Sequence, residues 1–146
     1  MPFTPDVIKT FLKEYEQAGN TLNTAQLLTQ FADNFVVATP HGTKSIRASD
    51  FVTILPQRKA LFDQMGCQSS TLDSLRMTPL GQHYVLAETT WRFHFSLPGN
   101  QSEQIAVDST FLIHTANDAL KIVLYLPHED IMALLRDRRI PPSASS

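Results

Sequence analysis

Cysteine is almost absent from this 146-residue chain: Cys67 stands alone, so no intramolecular disulfide can form. A lone thiol fits a reducing compartment. No run of 18 apolar residues occurs, which argues against a membrane-spanning helix. Asp6, Lys9, Lys13 and Glu14 interrupt the first apolar positions, so no signal peptide is expected and a cytoplasmic location is. Positive charge is not in surplus either. A net charge of −2 gives no basic face for nucleic acid. Metal-site spacing is missing too: there is no HxxxH or HExxH, and Cys67 has no second cysteine. Neither metal nor cofactor is expected.

What is present suffices for one domain. A chain of this length buries roughly 68–70% of its unfolded surface, and 42% hydrophobic residues against 18% charged ones can supply a core. A single domain is expected over residues 1–140, with PPSASS (141–146) as a disordered tail.

The first half reads with a period near 3.6. In residues 5–18, Val7, Ile8, Phe11, Leu12 and Tyr15 share one helical face. Thr4 can cap this helix, Pro5 fits its first turn, Asp6 suits its positive end, and Gly19-Asn20 should stop it. Asn23 or Thr24 starts a second helix whose stripe is Leu27, Leu28, Phe31 and Phe35. FVVAT (35–39) is a short strand ended by Pro40, and PHGTKS is a turn. Residues 49–65 are helical again, capped by Ser49, with Phe51, Ile54, Leu55, Leu61, Phe62 and Met65 as the apolar face. Pro56 should kink or split that helix.

After Gly66 the period becomes 2. Strands are expected at 68–78, 83–97, 104–115 and 120–126, joined by short turns and therefore antiparallel. A last short helix covers 128–139, with Arg136, Arg138 and Arg139 at its negative end. Helices followed by a long sheet make an α+β fold with the helices on one sheet face.

Alternation divides the long strands into two faces. Val85, Ala87, Thr89, Trp91, Phe93 and Phe95 fall on one parity; Glu88, Thr90, Arg92 and His94 fall on the other. In the next strand Ser109 and Phe111 look inward, and Asp108, Leu112 and His114 look outward. A hairpin centred near Asn100 would set Phe93 against Val107, Trp91 against Ser109 and Arg92 against Asp108. His94, Asp108 and His114 invite a metal or acid–base reading, but parity puts all three on the outer face, as a polar ladder facing solvent or a second copy. The polar residues of the inner face, Ser109, Trp91, Tyr15 and Tyr125, must each satisfy the backbone or line a cavity.

The helix, LTQFADNFVV (28–37), a turn, a helix, four long strands and then KIVLYLPHEDIMALL resemble the nuclear-transport-factor-2-like superfamily over about residues 5–137. The resemblance implies a cystatin-like cone: three N-terminal helices packed on a strongly curved, mainly antiparallel mixed sheet, with a short C-terminal helix. It says little about function, because the superfamily includes isomerases, dehydratases, cyclases and carriers. Ketosteroid isomerases of this type carry a general-base aspartate that falls on Thr39, a tyrosine that falls on Leu12 and a second acid that falls on Ser109. A threonine hydroxyl has no useful basicity near neutral pH, and a positioned base contributes about 10²–10⁴-fold. Tyr15 lies one turn beyond Leu12 on the same face. Cyclases and dehydratases of the fold use an inward Asp/His pair; His41 is the inward candidate here, while Asp50 and Asp63 read as a first-turn acid and a solvated helix residue.

Three functions are consistent with these residues. The first is a binding domain for a small apolar or amphipathic ligand, its pocket lined by Tyr15, Thr39, His41, Trp91, Phe93, Ser109, Phe111 and Tyr125. The second is an isomerase, cyclase or dehydratase that uses His41 or Tyr15 in place of the missing acids. The third is a module that forms a homodimer or docks a partner through Glu88, Arg92, His94, Asp108 and Leu112 on the outer face.

Overall fold

The chain is described by a computed structural model covering residues 4–116, 119–129 and 133. Thr4 is extended, and its Oγ1 accepts the amide of Val7 at 3.3 Å, capping helix α1 (Pro5–Thr21). Gly19 and Asn20 do not stop this helix. It ends at Leu22, which takes a left-handed conformation (φ 55°) and turns its amide back to Ala18 and Gly19. Asn23 then accepts the Gln26 amide at 3.1 Å and caps α2 (Thr24–Gln30).

Strand β1 (Phe31–Thr39) starts four residues earlier than the sequence pattern indicates. Phe31 and Phe35 are buried in this strand rather than on a helix, and Leu28 is exposed. The expected turn at 40–45 is a tight hairpin into β2 (Gly42–Arg47), a largely exposed edge strand without alternating apolar residues. Helix α3 (Ala48–Gln64) follows with no side-chain cap from Ser49 or any other residue, and it runs through Pro56 without splitting. Pro56 is exposed, so water can serve the Val52 carbonyl that loses its helical donor.

The remaining strands are β3 (Cys67–Leu80), β4 (Tyr84–Leu97), β5 (Gln101–Ala116) and β6 (Ala119–Pro127). The six strands form one sheet in the order β2-β1-β6-β5-β4-β3. The β1–β6 contact is parallel and the other pairings are antiparallel, so the sheet is mixed. Register shifts interrupt β1 against β6, β3 against β4 and β5 against β6, which is how a sheet acquires local bends. The expected helix at 128–139 and the tail at 141–146 lie outside the described residues apart from Ala133, which is helical, and the loop-like His128 and Glu129.

The inner-face alternation holds: Val85, Ala87, Thr89, Trp91, Phe95, Ile105, Val107, Ser109, Phe111 and Ile113 are all buried. The pairing is offset by two residues from the expected one. Trp91 faces Val107, Thr89 faces Ser109, and Arg92 faces Ala106. Pro98–Asn100 forms a three-residue turn in which Gly99 (φ 78°) and Asn100 (φ 61°) are both left-handed, so the hairpin centres on Gly99. Helices α1 to α3 cover the inner face. Ile8 and Leu12 are fully buried, and Phe31, Phe35 and Phe51 meet with ring centroids 4.5–5.3 Å apart, within the range of favourable aromatic pairs.

Gly66 joins α3 to β3. Its carbonyl accepts the Ser96 amide at 2.8 Å, its φ is +90°, and a Cβ there would lie 2.6 Å from the Ser96 carbonyl oxygen. Both features require glycine. Gly66→Ala should cost about 1–3 kcal/mol and lower Tm by roughly 2–12 °C in calorimetry; an unchanged Tm would contradict this geometry.

Candidate functional site

Between the helices and the inner sheet face lies a cavity of about 180 Å³. Its sheet side is built by β4 and β5, whose alternation sends Trp91, Phe93, Val107, Ser109 and Phe111 inward, and by Tyr125 of β6. Its helix side comes from Tyr15 and Asn20 of α1 and from Phe51, Leu55, Arg58 and Phe62 of α3. Those four α3 residues are spaced by four, three and four positions, the spacing of one inward helical stripe. The start of β3, Cys67–Ser70, closes one side.

Seven aromatic rings line the wall. Tyr15 stands edge-on to Phe111 and Trp91, with centroids 5.4 and 5.8 Å apart, and Tyr125 stacks on Phe111 at 5.2 Å. Phe62 meets Phe93 at 5.9 Å. Trp91, Thr89 and Ser109 pair their polar side-chain atoms among these rings. Trp91 Nε1 donates to Thr89 Oγ1 at 2.8 Å, Thr89 Oγ1 donates to the Ser109 carbonyl at 2.8 Å, and the Thr89 and Ser109 hydroxyls are 3.0 Å apart. The register that sets Thr89 opposite Ser109 makes this relay. It leaves the Ser109 hydroxyl at the cavity wall with further hydrogen-bonding capacity.

Helix α1 is fastened beside the cavity by its own polar side chains. Asn20 Nδ2 donates to the Ser70 carbonyl at 2.9 Å, and Asn20 Oδ1 accepts the Ser70 amide at 3.0 Å. One turn earlier Glu16 accepts the Leu72 amide at 3.3 Å and pairs with Lys13 at 3.2 Å. β3 is an edge strand, so these bonds engage backbone groups that no neighbouring strand can reach.

Six of the eight pocket residues expected from sequence line the cavity: Tyr15, Trp91, Phe93, Ser109, Phe111 and Tyr125. Thr39 and His41 do not. β1 pairs with β6 as far as Val37 and Tyr125, and Thr39 lies beyond that point in the β1–β2 hairpin. There its Oγ1 donates to the Gly42 carbonyl and accepts the His41 amide. Thr39 thus ends β1 at the hairpin, away from the cavity, and His41 is exposed. Among the lining or supporting residues that pattern reading missed are Asn20, Arg58 and Thr89. Thr89 was signalled by its inward parity, and Arg58 by its place in the α3 stripe. Asn20 carried no signal, because its partner is 50 residues away.

On the outer face each expected charged or polar residue has a partner within the chain. Arg76 bonds Glu88 at 2.8 Å, Arg92 bonds Asp73 at 2.8 Å, Thr90 bonds Asp108 at 2.7 Å, and Thr71 bonds His94 at 3.0 Å. The offset register replaces the expected Arg92–Asp108 pair with these contacts. Leu112 is half-buried between Leu86 and Leu124. His114 lies against the Tyr84 ring at 4.9 Å. Among the described residues no group of three or more His, Cys, Asp or Glu side chains is placed to hold a metal, and no helix is long and apolar enough to cross a membrane.

Burial pushes the Tyr15 phenol well above its ordinary range; nearby Tyr125 adds to this and Arg58 opposes it. Burial likewise pushes the Cys67 thiol up to about 11, against the Ser69 backbone hydrogen bond and Lys59, with Asp63 adding to the rise. Both groups are neutral at physiological pH, which suits an apolar wall. In the unfolded chain they lose protons near pH 9 and 10. The folded state then holds more protons than the unfolded one, so their stabilising contribution is complete below about pH 9 and declines as pH rises further. In urea unfolding between about pH 8 and 10.5, the wild type should lose stability more steeply than Tyr15→Phe or Cys67→Ala; equal slopes in all three proteins would contradict the assignment.

The geometry has counterparts among known proteins. Residues 5–130 match the family model described as NTF2-like protein (DUF6841). No curated protein matches the sequence. An NTF2-like protein with a cystatin-like fold from Novosphingobium aromaticivorans superposes with a TM-score of 0.70 at 11% identity, covering 90% of this chain and 87% of that one. An NTF2-like protein of unknown function from Shewanella oneidensis gives 0.65 at 13% identity, covering 85% and 98%. One from Cytophaga hutchinsonii gives 0.66 at 8% identity, covering 88% and 99%. At such identities the likeness is one of fold. With the family model spanning 5–130 and three helices on a bent mixed sheet, the chain belongs to the NTF2-like family, described as DUF6841.

Proposed function

We propose that the protein is a binding domain for a small, mostly apolar molecule held inside the cone. The observation that carries this reading is the ring-lined cavity of about 180 Å³ between the helices and β4–β5. An apolar cavity of about 150 Å³ accepts benzene, so the size suits one substituted aromatic ring or an aliphatic group of similar bulk. Phe51, Phe62, Trp91, Phe93 and Phe111 supply apolar area, and the Ser109, Tyr15 and Tyr125 hydroxyls can orient a polar substituent. The relay through Thr89 supports the same reading, since the indole donor is already satisfied and need not be paired by a guest.

The outer face takes no part in this function. Its charged side chains are engaged with one another across the strands.

Trp91 is the sole tryptophan and lies in the cavity wall, so its emission reports occupancy directly. Titration with 4-ethylbenzamide, an uncharged one-ring probe, should change Trp91 emission saturably. At 100 times its Kd the probe should stabilise the fold by about 2.7 kcal/mol, a rise in Tm of roughly 5–10 °C. The absence of both a saturable emission change and a Tm shift across one-ring amides and acids would overturn the reading.

A further inference from the structure

We infer that the cavity selects a monoanionic amphipathic ligand, an aryl or similarly bulky carboxylate whose carboxylate seats on Arg58 while its apolar body lies among the rings. This rests on the binding function proposed above and names the chemical class of the guest.

Arg58 occupies an inward position of the α3 stripe, between Leu55 and Phe62, where the pattern calls for an apolar residue. Its guanidinium carbon sits 5.4 Å from the Phe62 ring centroid. Among the described residues its N–H donors have no hydrogen-bond partner, so they are available to a guest. The other charged residues of the lining are already compensated. Lys59 pairs with Asp63 at 3.2 Å, and Glu16 pairs with Lys13 and accepts the Leu72 amide. Among the described residues Arg58 has no anionic partner. Arg58 is partly exposed at the cavity wall, and a guest carboxylate would meet its open donors with matched two-oxygen geometry.

The same rim disfavours a more highly charged guest. Lys59 of the lining is already paired with Asp63, so a second negative charge on the guest would find no open cation beside Arg58 among the described residues. Tyr15, which senses the charge of Arg58, provides a neutral phenol on the same wall and can donate a hydrogen bond to the anion.

The test compares 4-ethylbenzoate with 4-ethylbenzamide by Trp91 emission near neutral pH and low salt, in wild type, Arg58→Gln and Arg58→Lys, each checked for folding by circular dichroism. In wild type the benzoate should bind at least about tenfold tighter than the amide, and added salt should shrink that ratio. Arg58→Gln should bring the ratio near one, and Arg58→Lys, which keeps the charge but not the fork, should leave an intermediate ratio. Equal affinities in wild type, or a preference that survives Arg58→Gln, would overturn the inference while leaving the cavity as a binding site. Failure of both probes to bind wild type would overturn the binding function itself and this inference with it.

Discussion

The amide of Asn20 takes both outward hydrogen-bonding groups of Ser70, and the cavity depends on that contact. α1 is amphipathic, and burying apolar area alone would favour its lying flat against the sheet along its whole length. At its N-terminal half it does so, with Ile8 and Leu12 fully buried. Its last two turns are instead tied to the rim of the sheet, through Asn20 to Ser70 and Glu16 to Leu72. The helix end therefore bridges to the β3 edge rather than dropping onto β4 and β5. The space left beneath it is where Tyr15, Trp91 and Phe111 meet around the cavity. The same bonds occupy edge groups that could otherwise pair with a strand of another chain.

A second constraint comes from the inner sheet face. A cavity walled by rings leaves few partners for the polar atoms that remain there, and an unpaired buried donor costs about 1–3 kcal/mol. Trp91, Thr89 and Ser109 answer this among themselves, because the β4–β5 register places Thr89 directly opposite Ser109. Had the hairpin centred on Asn100, Trp91 would have faced Ser109 and the relay could not have formed in this way. The left-handed Gly99-Asn100 turn thus fixes the chemistry of the wall as well as the pairing of the strands.

The α+β class and the later strands were legible in the sequence, and so was the inward parity of β4 and β5, because alternation over fourteen or more residues admits one reading. Trp91, Phe93, Ser109 and Phe111 followed from that parity, and Tyr15 from the helical spacing of α1. The second helix and β1 were harder. Phe31 and Phe35 are four residues apart, which places them on one face in a helix and equally in a strand, so periodicity could not separate the two. β2 carries no apolar alternation and lies at the sheet edge beside β1, and PHGTKS therefore reads as a turn. Thr39 and His41 were misplaced because Thr39 ends β1 and His41 sits in the hairpin to β2, beyond the point where β1 leaves β6. Arg58 was hidden by its residue type, since a charge in an apolar stripe reads as an interruption rather than as part of the wall. Asn20 was unreadable, because its role exists only once β3 is an edge strand beside α1.

The central claim, that Asn20 fastens α1 to the β3 edge, is tested most directly by amide hydrogen exchange at Ser70. An edge-strand amide that points away from its neighbour exchanges readily unless something else accepts its hydrogen bond. The Ser70 amide should be protected in the wild type and lose that protection in Asn20→Ala, while amides in the β4–β5 ladder stay protected in both. A Ser70 amide that exchanges freely in the wild type, or one equally protected in both proteins, would contradict it.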